Sequence, residues 1–341
     1  MKKIKTIDAI GHVLCHDITQ IIKDVKAGVL FQKGHIVKEE DVEPLLLAGK
    51  DHLYIYEIDE STIHENDAAE ILYSVCANGN MEATAVKEGK IEVVAREDGL
   101  LKVDIERLRL INGLGEIIIA TRHMNTVVKK GDKLAAMRVV PLIINKSKLD
   151  EVSKIGNNQP LLEIQPFNQF KVGVITTGNE IYYKRIEDTF TPVIVNKLAE
   201  YGLEINYHKV VSDDLEMIKD TIKECKESGA ELIICTGGMS VDPDDLTPTA
   251  IKESGANLLT YGTPVLPGAM LLLAYFDDGT PIMGLPGCVM YANATSFDLF
   301  LPRVIAKNVI TREEIASLGH GGLCLRCQVC RYPQCGFSRG N

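Results

Sequence analysis

Two sets of residues in this chain have the types and spacing to do chemistry. The first is Cys324-Leu-Arg-Cys327-Gln-Val-Cys330-Arg-Tyr-Pro-Gln-Cys335, four thiols within twelve residues. Thiolates are strong metal ligands, and two overlapping two-residue gaps bring three of them round one point. That spacing favours an iron–sulfur cluster over the paired knuckles of a zinc site, with Zn²⁺ as the alternative. His320 just upstream reads as a bystander, and Gly319, Gly321 and Gly322 make a flexible approach that a metal would order. The second set is three short loops: Thr176-Thr177-Gly178-Asn179-Glu180, then Thr236-Gly237-Gly238-Met239-Ser240 running on through Asp245 to Thr247-Pro248, then Gly284-Leu-Pro286-Gly287-Cys288. Glycine lets backbone approach a ligand with no Cβ in the way. A glycine opening a helix, as Gly287 does ahead of the apolar run 288–308, leaves free N–H groups at the positive end of the dipole. Taken singly, each loop is an ordinary turn. Together they describe an anion-holding site.

These loops need a scaffold, and the second half of the chain supplies one. Phe170–Thr176, Leu203–Val211, Glu231–Cys235 and Pro281–Gly284 read as strands, the first a continuous apolar run of the buried parallel kind. Helical stretches alternate with them at Pro192–Tyr201, Leu215–Ser228, Thr247–Ser254 and Cys288–Asn308. This grammar predicts an α/β fold, a doubly wound and mostly parallel sheet with right-handed crossovers, and ligands in such sheets bind beyond the carboxyl ends of strands. The first half reads as a β-rich domain. A hairpin is expected about Gly34, a short helix over Glu39–Ala48, a strand over Asp51–Asp59, and further strands over Ile91–Ala95, Gly115–Thr121 and Val139–Ile144. The turn at Gly131-Asp132 resembles one common in barrel-sandwich modules. Ile63–Cys76 and Ile105–Asn112 complete the helical candidates there, and a polar linker is placed at Gly156–Pro160. The expected organisation is thus residues 1–165, residues 166–310, and a cysteine-rich metal-binding tail over residues 311–341.

Composition narrows the function. A formal charge of −10 argues against a nucleic-acid surface, which needs clustered Lys and Arg, but leaves room for a small anion held by backbone amides. No apolar run is long enough for a membrane span, and the basic start Met1-Lys-Lys-Ile-Lys-Thr lacks the apolar stretch of a signal peptide. Nine cysteines, an odd number, point to a reducing cytoplasm. Cys15, Cys76, Cys225, Cys235 and Cys288 stand scattered, most of them reading as small buried hydrophobes.

The loops carry a resemblance. Thr177-Gly178-Asn179-Glu180, Ile186-Glu-Asp188-Thr189, Val210-Val-Ser-Asp213-Asp214, Thr236-Gly237-Gly238-Met239-Ser240…Asp245-Leu-Thr247 and Gly284-Leu-Pro286-Gly287 resemble, in order and spacing, the signatures of the molybdopterin-binding family of molybdenum-cofactor biosynthesis proteins over about Lys171 to Asn308. The resemblance implies molybdopterin over Gly237, Gly238 and Gly287, flanked by Thr177, Gly178, Asn179, Met239, Ser240, Gly268, Pro286 and Cys288. It implies Mg²⁺ or molybdate, or a nucleotidyl group, near Glu180, Asp188, Asp214 and Asp245, with Glu180, Asp188 and Asp245 as catalytic candidates and Asp214 as a metal ligand. Helix capping is the competing role for Asp188, Asp214 and Asp245.

The chain also departs from that pattern. Where molybdopterin molybdotransferases have Lys-Pro-Gly-Lys-Pro it has Leu266-Pro267-Gly268-Ala269-Met270, and Cys288 replaces the turn asparagine. About thirty residues follow the α/β segment, in which no counterpart of the family's further β-barrel domain is expected. Residues 1–60 resemble the enzyme's N-terminal linker only vaguely. These features point to a cytoplasmic molybdopterin-binding protein of cofactor biosynthesis or molybdoenzyme maturation. A molybdotransferase or adenylyltransferase is one alternative. A carrier or redox sensor docking on a molybdoenzyme through its cysteine tail is another. Assembly as a homo-oligomer is left open.

Overall fold

The computed structural model describes residues 2–22, 26–55, 61–240 and 242–338. The chain divides into two compact units, one of residues 1–97, 101–124 and 128–164, the other of residues 98–100, 125–127 and 165–341.

The first unit is built from short strands. Met81–Ala83, Lys90–Ala95, Lys133–Val139 and Ile117–Thr121 form an antiparallel sheet in that spatial order. Helix Glu65–Cys76 buries Ala68, Ala69, Leu72 and Cys76 against its core. Three expectations for this half are corrected. The hairpin is not about Gly34: Ile18–Ile22 pairs with Lys26–Phe31, while Gly34 makes a left-handed turn (φ 84°) after that strand. The strand sought at Asp51–Asp59 covers His52–Ile55, and its last residues lie outside the described set. The linker at Gly156–Pro160 starts as the end of a helix, Lys146–Gly156, that the polar run 146–151 conceals. Arg107 donates to the carbonyls of Gly156, Gln159 and Pro160, so the stretch is tied down.

The second unit runs β1 (Val172–Thr177), α1 (Phe190–Ala199), β2 (Ile205–Val211), α2 (Leu215–Glu227), β3 (Leu232–Thr236), α3 (Thr247–Glu253), β4 (Asn257–Tyr261), β5 (Leu272–Tyr275), β6 (Pro281–Leu285), α4 (Ser296–Ile305) and α5 (Arg312–Ser317). The sheet order is β2-β1-β3-β6-β5-β4. β1 is parallel to β2 and β3, and β3 to β6, while β5 and β4 continue antiparallel. Every residue of β1, β3 and β6 is buried, as a strand covered on both faces requires. One apolar cluster joins Val174, Ile194, Ile234, Leu285, Phe297 and Phe300, and a second on the opposite face joins Ile175, Ile222, Ile233 and Ile251. Gly173 has no room for a side chain, since a Cβ there would meet Cys225 Sγ at 2.0 Å, and so α2 can lie close on the sheet.

The sheet is the doubly wound, mostly parallel one expected, enlarged by the hairpin β4–β5. The helix expected over Cys288–Asn308 is corrected. A 3₁₀ turn at Gly287–Met290 comes first, and α4 begins only at Ser296, where Thr295 and Asp298 form a capping box. Gly287 therefore opens a single turn with little dipole to offer. No helix among the described residues is long and apolar enough to cross a membrane.

Candidate functional site

Three loops leave the carboxyl ends of β1, β3 and β6, and a fourth, residues 262–271, joins β4 to β5. They enclose a cavity of about 580 Å³, within the range of small-molecule sites. Its wall is more apolar than polar, although Glu180, Glu187, Asp242, Asp245 and Arg326 also line it. Gly237 and Gly238 take left-handed conformations (φ 85° and 54°) in close quarters: a Cβ on Gly237 would meet the Thr177 carbonyl at 2.1 Å, one on Gly238 Thr247 Oγ1 at 2.8 Å. Thr177 and Thr247 share a hydrogen bond of 3.1 Å, stitching the first loop to the start of α3. The Tyr261 hydroxyl, from β4, donates to the carbonyls of Met239 and Ser240 and props the second loop from outside. Gly268 (φ 114°) sits where a Cβ would meet Ser296 Oγ at 2.3 Å, and Ser296 in turn donates to the Gly268 carbonyl.

Of the residues singled out in the sequence, Thr177, Glu180, Gly237, Gly238, Met239, Ser240, Asp245, Gly268, Pro286, Gly287 and Cys288 line this cavity. Met239 does so from a largely buried position, its thioether filling the hollow left by Gly284. Gly178, Asn179, Asp188 and Asp214 are not among the lining residues. Gly178 and Asn179 shape the first loop, where the Asn179 N–H donates to Asp213 at 2.8 Å. Asp214 accepts from Met217 N and caps α2. Asp188 accepts from the amides of Phe190 and Thr191 at the start of α1 and from the Thr191 hydroxyl. Burial raises the Asp188 pKa, but those hydrogen bonds outweigh it and hold the carboxyl below the ordinary range. Asp245 accepts from Asp242 N, and no side chain caps α3. It closes its own loop.

Tyr291 and Arg326 are wall residues that sequence reasoning missed, while Thr236 and Ile186 were named only as parts of their motifs and not as site residues. Thr236 matters most: it is fully buried, and its hydroxyl finds no partner among the described residues. A buried hydroxyl without a partner is costly, and Thr236 is itself a residue of the cavity wall. Its position directly before Gly237 was the available signal.

The metal expectations fare differently. No three His, Cys, Asp or Glu side chains among the described residues gather closely enough to hold an ion. Cys324 and Cys335 pack with Tyr332 and Phe337 in a small apolar cluster, while Cys327 and Cys330 face solvent. Among the described residues the four thiols therefore do not gather at one point. Glu180, Asp188, Asp214 and Asp245, expected near Mg²⁺, form no three-ligand group among the described residues, and Asp188, Asp214 and Asp245 each accept a backbone N–H with one carboxylate oxygen. Four of the five scattered cysteines are buried, and Cys288 faces the cavity.

A doubly wound sheet with a glycine-walled cavity at its strand ends defines a small-ligand-binding α/β domain. Residues 173–306 match the family described as probable molybdopterin binding domain. Residues 3–57 match a domain of unknown function. The molybdopterin molybdenumtransferase of Staphylococcus epidermidis is 25% identical over 313 residues, spanning 88% of this chain and 70% of the relative. That of Staphylococcus aureus strain Mu50 is also 25% identical, over 258 residues, 74% of this chain and 56% of the relative. The likeness thus reaches well into the first unit, beyond the segment Lys171–Asn308 in which motifs were recognised. Among solved structures, the molybdopterin biosynthesis enzyme MoaB of Thermus thermophilus shares 24% identity at a TM-score of 0.33, over 40% of this chain and 92% of that one. The tungsten cofactor synthesizing protein MoaB of Pyrococcus furiosus shares 25% at 0.33, over 40% and 91%.

Proposed function

We propose that this protein binds molybdopterin in the cavity between the three loops and acts in building or maturing the molybdenum cofactor. The observation that carries the reading is Thr236 with its neighbours: a buried hydroxyl lacking a partner, followed by two glycines whose backbone faces the same cavity. Such a wall suits a flat, polar, phosphorylated heterocycle, which can lie against backbone amides that no Cβ screens. The domain match over residues 173–306 supports the same ligand. In this reading Gly237, Gly238 and Ser240 contact the ligand, Thr177 and Thr247 hold their loop, and Pro286, Gly287 and Cys288 close the far side. Glu180 and Asp245 are the carboxylates placed to act on a bound group.

Transfer of molybdate to the pterin is the second reading, favoured by the relatives' name, molybdopterin molybdenumtransferase. Molybdate is then substrate. The chain spans 70% and 56% of the lengths of these relatives, so the activity of the whole enzyme is part of the proposal.

Anaerobic titration of the purified chain with molybdopterin tests the reading. Saturable binding that Thr236→Val weakens about tenfold, the loss expected for one buried hydrogen bond, supports it. Undiminished binding by that variant together with Gly238→Val would put the ligand elsewhere. Adding molybdate to the loaded protein then separates carrier from transferase by the appearance of a molybdenum-containing cofactor. Metal analysis of the same preparation checks the tail: one zinc per chain, or the several irons of a cluster, would mean that the four thiols gather round a metal.

A further inference from the structure

Four carboxylates, those of Glu180, Glu187, Asp242 and Asp245, line the cavity, and Arg326 is the only cationic side chain among its described lining residues. A phosphorylated ligand entering a cavity with that balance would meet repulsion on several sides and one attractive group. That group does not come from the strands or helices of the sheet. It comes from the segment after α5, within the cysteine-rich tail.

The tail is held in place by specific backbone contacts. Leu266 N donates to the Gly322 carbonyl and Cys324 N donates back to the Leu266 carbonyl, both at 2.8 Å, so the tail runs as one parallel bridge beside the 262–271 loop. Gly322 allows this close approach, since a Cβ there would meet the Pro264 carbonyl at 2.3 Å. Farther along, the Tyr332 hydroxyl donates to the Asp298 carbonyl on α4, Ser338 N donates to Gly321, and Phe337 is 5% exposed. Arg326 lies between these anchors, with a left-handed backbone (φ 51°) that L residues seldom adopt. Its guanidinium makes no ion pair among the described residues, yet its charge is felt at Cys288, another residue of the cavity wall. Burial pushes that thiol up, and Arg326 is one of the groups pulling it back.

We propose that Arg326 is the anion-binding residue of this cavity, holding the oxyanion end of the ligand, either a phosphate ester on the pterin or a free tetrahedral oxyanion. A guanidinium presents a planar fork of donors matched to such oxygens. The cysteine-rich tail then serves the site as the carrier of its cation. This inference rests on the reading of the cavity as a molybdopterin site.

The test uses the full chain as wild type, Arg326→Ala and Arg326→Lys, titrated with molybdopterin, with molybdate alone and with inorganic phosphate. Arg326 is exposed, so equal melting temperatures are expected for all three. Arg326→Ala should weaken molybdopterin ten- to a hundredfold, and Arg326→Lys should recover part of the loss. Loss confined to molybdopterin identifies the phosphate ester as the partner, while parallel loss of molybdate and phosphate identifies a free-oxyanion site. Equal molybdopterin affinity in all three proteins overturns the proposal. If wild type binds molybdate or phosphate but no molybdopterin, the pterin reading fails, and Arg326 keeps its role only if Arg326→Ala loses those ions. A wild type that binds none of the probes sinks both.

Discussion

The cavity has two unlike walls. One is the glycine loop after β3, built into the sheet: Gly237 and Gly238 are wedged between Thr177 and Thr247, and their backbone conformation is dictated by packing on all sides. The other is the tail, a segment laid over the 262–271 loop by a parallel bridge, a tyrosine hydroxyl and one buried phenylalanine. The first wall carries carboxylates and bare amides, the second the cation. A wall made from the core cannot move without cost to the fold, whereas one clipped on can be loosened and leave the sheet intact. Stability and affinity should therefore separate cleanly between them.

The strongest way to break that contrast is Gly237→Ala. The added methyl meets the Thr177 carbonyl at 2.1 Å and the residue must also hold φ 85°, so the loop has to shift. A loss of about 3 kcal/mol is expected by denaturant unfolding, with ligand binding abolished. A variant of wild-type stability would mean that this wall is as pliable as the tail. Phe337→Ala probes the other side. Removing its ring from the cluster with Val265 and Ala294 should cost about 2 kcal/mol of local stability, read as roughly thirtyfold faster hydrogen exchange at the Cys324 amide. The main unfolding transition should hardly move, while molybdopterin affinity falls toward that of Arg326→Ala. If the whole unit melts earlier by the full amount, the tail is part of the core and the contrast fails.

The two walls also differ in how far the sequence disclosed them. The glycine wall was legible because β1, β3 and β6 are apolar at nearly every position and end in Gly-rich turns, a local pattern with a local cause. The hairpin β4–β5 escaped because β4 is partly exposed and its Leu258-Leu259-Thr260-Tyr261 run has no clear period. Tyr261, which props the second loop, was lost with it. The break between Gly287 and α4 could have been read from Thr295…Asp298, but the apolar run after Cys288 masked it. Asp188 and Asp214 looked like site residues because a cap and a ligand carboxylate share one signature, an acidic residue just before a helix. The cysteine spacing suggested one point of convergence, yet spacing says nothing of the packing of Cys324 and Cys335 with Tyr332 and Phe337, and among the described residues the four thiols do not gather. Arg326 was illegible for a related reason: its place depends on hydrogen bonds to Leu266, sixty residues away in the chain.

The smallest effect sharpens the electrostatic side of the contrast. Asp213 sits beneath the first loop, accepting the Asn179 N–H at 2.8 Å. Burial pushes its carboxyl above the ordinary range, and the charges of Glu180, Asp244 and Asp245 add to this, outweighing the lowering effect of that hydrogen bond. A carboxyl whose pKa is raised on folding favours the folded state when protonated. Its contribution is therefore lost as pH rises from the unfolded pKa of about 3.9 through the higher folded value. Asp213→Asn keeps an oxygen to accept from Asn179 while removing the charge. At neutral pH the variant should melt about one or two degrees higher than wild type, and below about pH 4 the two should converge. Molybdopterin should also bind slightly more tightly, because one of the like charges near the loop is gone. Destabilisation at both pH values would instead show that the carboxylate is needed as the acceptor for Asn179, and the glycine wall would owe its order to that bond despite the crowding of charge around it.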